Sequence, residues 1–457
     1  MKLAPSAAAV AAAEGKARRA AVPRASHANW TPASDRPDPI ATIEASARGR
    51  MGALLPLRRA RMAADPFAFF RGSAVVMAAD LAPTPVSGIL VQACGDAHCI
   101  NFGGYATPER NVVFDVNDFD ETLPGPWEWD IKRLATSVTL AARHNAFKAR
   151  AIAAVTLATV GAYRKRMAHL AAMPALDVWY TRIEAERLLD AVPAPNFRRI
   201  RTQIVEPAAT APIRALVDKL TETRDGAWRF RDDPPLLVHS DETHHANFDV
   251  DEILCTYALT LRDDVATLFA RYRTMDAAIK VVGVGSVGTH CGIALLAADD
   301  HDPLLLQIKE AVPSVLEAHL GASPYAHHGE RVVRGQRLMQ TASDLFLGWG
   351  SSGERSYYVR QFRDMKASAD LEGVSPVELA QYADFCASAL AHAHARSGSA
   401  PAIAGYLGKG NAFDRALLEF ATRYADRAEA DYRAFAATAP TLAEATSEAD
   451  RSIAAQA

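Results

Sequence analysis

Two hydrophobic rhythms alternate along the chain. From Gly88 to Glu121 the pattern is strand-like: Ile89-Leu90-Val91 predicts one short strand and Asn111 to Val116 another, with Gly103-Gly104 and Pro108 marking a turn between them. Residues 130–172 carry apolar side chains at helical spacing among many alanines and predict a helix. Residues 176–275 read as mostly helical, interrupted at Asp232-Asp233-Pro234-Pro235. The period changes at 279. Ile279 to Val282, Ile293 to Leu296 and Leu304 to Lys309 predict three strands, joined by the glycine segment 283–288 and a tight turn at 299–303. Helices are expected over 327–346, 376–396 and 412–436, and a strand over Tyr357 to Phe362. The Ala, Arg, Ser and Pro composition of residues 1–45 predicts a disordered arm, and residues 437–457 a flexible tail.

At 457 residues and 49% apolar the chain can build more than one core, and two lobes are expected. A formal charge of −3 offers no basic field for nucleic acid, so an anionic cofactor needs local positive charge. Five scattered cysteines without a C-x-x-C pair read as reduced thiols in a cytoplasmic protein. The apolar run 7–13 is cut by Glu14 and Lys16, too short for a signal core, and no stretch approaches the ~20 apolar residues of a membrane span.

Gly283-x-Gly285-x-x-Gly288 fits two templates. In a dinucleotide fold the glycines lead into a helix; in a kinase they join two antiparallel strands over ATP phosphates. In both, backbone N–H groups approach phosphate and side chains would block them, so Gly283, Gly285, Ser286 and Gly288 are candidate cofactor-binding residues. Ten residues separate Gly288 from Asp299, too few for a helix and a strand, and the next strand ends at Lys309, where a kinase places its phosphate-binding lysine. A lysine at a strand end is otherwise a solvated edge residue. Its helical partner would be Glu330, with Glu317 nearer in sequence; the bland reading of either is a solvated helix face.

Asp96 and Asn101 stand five residues apart, the spacing of a catalytic Asp that receives the acceptor hydroxyl proton and an Asn that ligates Mg²⁺. Asp115, Asp118 and Asp120 follow, an acidic run that would complete the metal's oxygen ligands; three aspartates also occur in plain solvated turns. Asp115 fits the distance from Asn101, whereas Asp118-Phe119-Asp120 reads as a variant Asp-Phe-Gly. Gly95-Asp96-x-His98-x-x-Asn101 resembles the catalytic loop of aminoglycoside phosphotransferases, with Cys94 where those enzymes carry His. The segment Asp130-Ile131-Lys132-Arg133-Leu134-Ala135 is similar to the one opening their next helix, which implies that Asp130 braces the loop. The resemblance implies that His98 contacts phosphate or acceptor. Only nine residues separate Asp120 from Asp130, leaving no room for a long activation loop and favouring a small-molecule acceptor over a protein.

In kinases the glycine loop precedes the catalytic loop; here it follows, which a circular permutation would explain. The helix ending Ala389 to Gly398 resembles the one that runs directly into the catalytic loop in ordinary kinases. From about residue 50 the chain also resembles the bacterial domain of unknown function 2252, through Asp65-Pro66-Phe67, Phe70-Arg71-Gly72, Asn117 to Glu121, Lys280 to Thr289, Gly335 to Gln340 and Tyr358 to Gln361. Arg71 and Arg360 within these segments could hold phosphate through their planar forks or form structural salt bridges. His239, His244 and His245 lack metal-site spacing, and Cys94 and Cys99 read as small packing residues.

The expectation is an α+β, two-lobed protein-kinase-like fold with permuted lobe order, a helix-rich large lobe and a small antiparallel-sheet lobe. Residues 46–175 open the large lobe, 176–275 form a helical connector, 276–365 the nucleotide-binding lobe and 366–436 the remaining helices. The expected activity is Mg-ATP-dependent transfer to a hydroxyl, with ATP and Mg²⁺ as cofactors and neither nucleic acid nor membrane as partner. The alternatives are a nucleotide-binding pseudokinase, a nucleotidyl-transferring relative, and an NAD-dependent oxidoreductase.

Overall fold

The computed structural model describes residues 6–184, 213–224, 227–239, 248–281, 283, 285, 287–299, 302–362 and 367–454. The first helices are α1 (Ala7–Ala17), α2 (Pro39–Ala45), α3 (Leu55–Met62), α4 (Pro66–Gly72) and α5 (Ala74–Leu81). Strands β1 (Leu90–Ala93), β2 (Phe102–Ala106), β3 (Val112–Val116) and β4 (Leu123–Pro126) lead into α6 (Trp127–His144), α7 (Ala149–Leu170) and α8 (Ala175–Tyr180). Next come α9 (Ile213–Leu220), β5 (Thr221–Arg224), β6 (Ala227–Phe230), β7 (Leu237–His239), α10 (Val250–Ala258) and α11 (Asp263–Phe269). The sheet elements β8 (Arg273–Lys280), β9 (Cys291–Ala297), β10 (Pro303–Ala311), α12 (Glu317–Leu320), α13 (His328–Met339), β11 (Gly348–Ser352) and β12 (Arg355–Gln361) follow. The chain ends with β13 (Ala367–Ser368), α14 (Pro376–Ser397), α15 (Ala400–Leu407), α16 (Ala412–Ala436) and α17 (Leu442–Ala454).

The fold is mixed α+β. Its largest core lies among α6, α7, α14, α15 and α16. Trp127 stacks on Tyr163 at 5.7 Å, with Tyr406 and Phe413 against its edges, so α6 is buried on almost every face. Its polar side chains therefore need internal partners: Glu128 accepts the Ser87 N–H, and Lys132 donates to Thr84 over the Phe420 ring. The second body is an antiparallel sheet of order β11-β12-β10-β9-β8-β7, with α13 connecting β10 to β11 and packing on β12. Uninterrupted apolar runs in β9 and β10 reflect burial of both sheet faces. After β12 the chain enters β13, which pairs with β2, and then α14 of the helical body.

Several expectations are corrected. Residues 6–45 are not a disordered arm. Ser6 caps α1, whose Ala/Gly face meets α15 backbone to backbone: a Cβ on Gly405 would sit 2.1 Å from the Ala12 carbonyl oxygen. Arg19 and Arg24 donate to carbonyls at the end of α15, where the helix dipole favours cations. The tail is helical too, with Ala449 of α17 buried beside Leu54 and Leu57. The helix expected over 130–172 is two, broken at 145–148, where Ala146 takes a positive φ of 54°. The connector 176–275 contains the β5–β6 hairpin and β7 besides helices. No helix among the described residues is long and apolar enough to cross a membrane.

Candidate active site

The loop from Cys94 to Asn101 follows β1. Gly95 has φ 83°, and a Cβ there would lie 2.3 Å from the Glu121 carbonyl oxygen, so only glycine fits the turn. Asp130, in the first turn of α6, accepts the backbone N–H of Cys94 at 2.6 Å and of Gly95 at 2.9 Å. His394 Nε2 reaches the same carboxylate at 3.1 Å, and its Nδ1 meets the Tyr163 hydroxyl at 2.8 Å. The loop is also held from within: Asn101 Nδ2 donates to the Asp96 carbonyl at 2.7 Å, and the Tyr382 hydroxyl donates to the carbonyls of Cys99 and Phe102. Ser397 Oγ accepts the Gln92 N–H at 3.2 Å, so the end of α14 lies against the strand leading into the loop.

Asp96 Oδ1 pairs with Arg133 Nε at 2.5 Å, while Arg133 also donates to the Phe70 carbonyl and lies over the Phe70 ring. Burial pushes the Asp96 carboxyl above its ordinary value, against the pull of Arg133. His98 Nε2 stands 3.9 Å from Asp96 Oδ2. Burial, then the charges of Arg71 and Arg133, hold His98 well below the ordinary histidine range, so it is a neutral imidazole at neutral pH.

The acidic run is split by the structure. Asp118 and Asp120 meet Lys309 of β10, whose Nζ lies 2.7 Å from Asp120 Oδ2 and 3.8 Å from Asp118 Oδ1. The Tyr358 hydroxyl donates to Asp120 Oδ1 at 2.6 Å. Lys309 and Tyr358 are direct cross-strand partners on β10 and β12, which is why both reach one carboxylate. Burial opposes the Asp120 charge, but Lys309 and the two hydrogen bonds outweigh it and hold the carboxyl at about 2. Burial likewise opposes the Lys309 charge and is outweighed by Asp118 and Asp120, which raise it well above 10.5. Arg331 of α13 fixes the turn by donating to the carbonyls of Asp120, Thr122 and Val312.

Asp115 does not join this group. It accepts from Thr341 N at 3.0 Å, Thr341 Oγ1 at 3.1 Å and the Val116 N–H at 2.9 Å, and burial pushes its carboxyl up to about 6. Among the described residues no three His, Cys, Asp or Glu side chains cluster as metal ligands. Glu330 pairs with Arg334 on its own helix, and Glu317 accepts the Ser314 N–H near Arg331, so the partner of Lys309 is Asp120 rather than a helical glutamate.

The glycine segment joins β8 to β9 as an antiparallel hairpin, with β9 starting three residues after Gly288. It feeds a strand, so the helix N-terminus that a dinucleotide pyrophosphate requires is missing there. Its carbonyls are gripped from the N-terminal region: Arg61 holds Gly283, Arg50 holds Gly285 and Val287, and the Met51 N–H donates to Gly288. Ser286 lies outside the described residues, as do His244 and His245. His239 is bonded by Asp232 and Asp276.

Residues 50–438 match the family described as "Uncharacterized protein conserved in bacteria (DUF2252)". The chain belongs to the DUF2252 family. No curated protein and no solved structure is detectably similar to it. In this DUF2252 protein the segments that carry the family resemblance converge: Arg71, the Asp96 loop, the Asp118–Asp120 turn, the glycine segment and Tyr358 surround one region. Sequence reasoning missed Arg133, Tyr358, Arg50 and Arg331. Arg133 was legible in principle, since it lies three residues after Asp130 and such residues share a helix face. Burial raises the Cys94 and Cys99 thiols, consistent with packing roles. Arg360 is tied to the Gln307 side chain and the Asn117 carbonyl.

Proposed function

We propose that this protein is a phosphotransferase of permuted kinase-like fold that uses Mg-ATP to phosphorylate a hydroxyl of a small molecule. The observation that carries this reading is the Lys309 ion pair with Asp118 and Asp120. It lies below a glycine hairpin and beside a loop in which Asn101 is bonded to the Asp96 backbone. A five-strand order β8-β9-β10-β12-β11, with the short α12 and the longer α13 between β10 and β11, supports a nucleotide-binding lobe. Contact between the end of α14 and β1 supports the permuted order, since the two would be continuous in an unpermuted chain.

The donor set suits Mg²⁺, which takes one or two carboxylates beside substrate phosphates rather than a full protein cage. Asp118 and Asp120 supply carboxylate oxygens, and Asn101, whose amide nitrogen is used by Asp96, supplies its side-chain oxygen. Bound there, Mg²⁺ would neutralise charge on the transferring phosphoryl group. Lys309 and the glycine-segment backbone hold the phosphates. Asp96 orients the acceptor hydroxyl and receives its proton; the Arg133 pair fixes the carboxylate so that one oxygen remains for this task. Asp130, held by His394, keeps the loop in register.

Calorimetry with Mg-ATP tests the reading. Wild type should bind, Lys309→Met should bind at least tenfold more weakly, and Asp96→Asn should bind normally while transfer of γ-label falls by about 10²–10⁴-fold. Absence of binding at millimolar Mg-ATP would end the proposal. Label transferred from α- but not γ-labelled ATP would assign nucleotidyl transfer, and binding without turnover across a broad acceptor panel a pseudokinase.

A further inference from the structure

The N-terminal helices bring two guanidinium groups to this region without carboxylate partners. Arg58 of α3 is only 4% exposed, yet its Nε has no hydrogen-bond partner and its one bond is a 3.3 Å contact from NH2 to the Gly72 carbonyl. Arg71, one residue before Gly72, has a buried, unpartnered Nε and only the Phe67 ring within cation–π range. Neither forms a salt bridge among the described residues, whereas Arg36, Arg133, Arg143 and Arg164 all do. A guanidinium group removed from water is stabilised by an anion, and neither the buried Arg58 nor the half-buried Arg71 has a carboxylate in ion-pair contact among the described residues.

Their location indicates what the anion belongs to. The Arg71 charge acts on Asp96, His98 and Cys99, the loop assigned to the acceptor, while the Arg50 charge acts with Asp120, Cys291 and Glu310 on the nucleotide side. The Arg71 carbonyl lies 4.0 Å from where a Gly285 Cβ would stand, so Arg71 sits between the glycine segment and Asp96. His98 adds a second opening: it is 4% exposed, and its buried Nδ1 has no hydrogen-bond partner. A planar guanidinium fork next to a neutral imidazole suits a phosphate or carboxylate group carried by a hydroxyl compound.

We propose that Arg71, backed by Arg58, binds an oxyanion on the acceptor, so that the acceptor is an anionic alcohol rather than a neutral sugar or a cationic aminoglycoside. The assignment rests on the phosphotransfer reading for the word acceptor and on Arg58, Arg71 and His98 for the anion. Inorganic phosphate is the probe, titrated by calorimetry into wild type, Arg71→Gln, Arg71→Lys and Arg58→Met, with folding checked by circular dichroism. The titration is repeated with the nucleotide site filled by Mg²⁺ and the non-hydrolysable β,γ-imido analogue of ATP. Wild type should bind phosphate in both states. Arg71→Gln should lose at least tenfold in phosphate affinity in both, Arg71→Lys should lose less, and affinity for the analogue should stay within twofold. If phosphate binding vanishes once the analogue is bound, or if Arg71→Gln weakens the analogue as much as phosphate, the anion is the nucleotide's terminal phosphate and the acceptor assignment is overturned. Equal phosphate affinity in wild type and Arg71→Gln overturns the site altogether. Failure of the analogue to bind wild type would remove the phosphotransfer reading, while the nucleotide-free titration still decides whether Arg71 binds an oxyanion.

Discussion

Replacing Lys309 by Met keeps the apolar stem and deletes the charge that joins the sheet to the Asp118–Asp120 turn. The cost can be worked in two ways. Breaking a buried ion pair by removing one partner costs roughly 3–5 kcal/mol, less where the survivor reaches water; the Asp120 side chain is 32% exposed. Independently, Asp120 is held at about 2 against an ordinary 3.8, and at about 1.4 kcal/mol per pH unit this is worth about 2–3 kcal/mol. Both routes are met by a loss of about 2–3 kcal/mol at pH 7. The pH dependence separates the ion pair from packing. A depressed carboxylate contributes stability that is present above its unfolded value and lost as pH falls through its folded value. The Asp120 contribution is therefore complete at pH 7 and reduced to about half at pH 3. The raised Lys309 contributes below its unfolded value of about 10.5 and does not vary across this window. Urea unfolding of wild type and Lys309→Met at pH 7 and pH 3, followed by tryptophan fluorescence, should give a difference that halves on acidification. A difference unchanged between the two pH values, or none at pH 7, would refute the ion-pair account.

Three further outcomes follow from the same geometry. Asp130→Ala removes the acceptor for two backbone N–H groups and should cost about 3–6 kcal/mol at pH 7, since hydrogen bonds to a charged group are worth about 1.5–3 kcal/mol each; a urea-derived loss below about 1 kcal/mol would mean the loop is held elsewhere. Asp118→Asn should weaken Mg-ATP binding at least tenfold in calorimetry while Asp115→Asn stays within twofold, and the reverse ranking would return the metal to the end of β3. The Asp115 carboxyl, raised to about 6, binds its proton more tightly in the folded state. It therefore costs stability as pH rises from about 4 to 6, and Asp115→Asn should flatten the urea midpoint across that interval.

What could be read from one dimension was whatever is encoded locally. The β8–β9–β10 pattern, the five-residue step from Asp96 to Asn101 and the isolated Lys309 are all properties of short windows. The choice between Glu330 and Asp120 as partner of Lys309 was not local. It depends on β12 pairing beside β10 in the register that sets Tyr358 opposite Lys309, and no window spans both. The separation of Asp115 from Asp118 and Asp120 was partly legible, because a residue inside a strand and residues in the turn after it need not face the same way. Thr221-Glu222-Thr223-Arg224 lacks an apolar alternation, so β5 carried no strand signal and its residues were assigned to a helical connector. The alanines of α1 suggested disorder because their use is contact with α15, some 390 residues away in sequence.

If the core is permuted, the order of the chain has a chemical consequence. Where a covalent link would join α14 to β1, the junction is held instead by the Gln92 N–H on Ser397, by the Tyr382 hydroxyl on Cys99 and Phe102, and by His394 on Asp130. With that junction non-covalent, the segment before the catalytic loop is free to be something else, and here it is α3 to α5 with the loop before them. This stretch touches both halves of the proposed site. Arg50 and Arg61 hold the carbonyls of the glycine segment, the Phe70 carbonyl is bonded by the same Arg133 that pairs with Asp96, and Arg71 lies between the two. A nucleotide drawing on the glycine segment and an acceptor drawing on Asp96 would therefore meet across residues 50–72, so that a change in this helical stretch would be felt by both ligands.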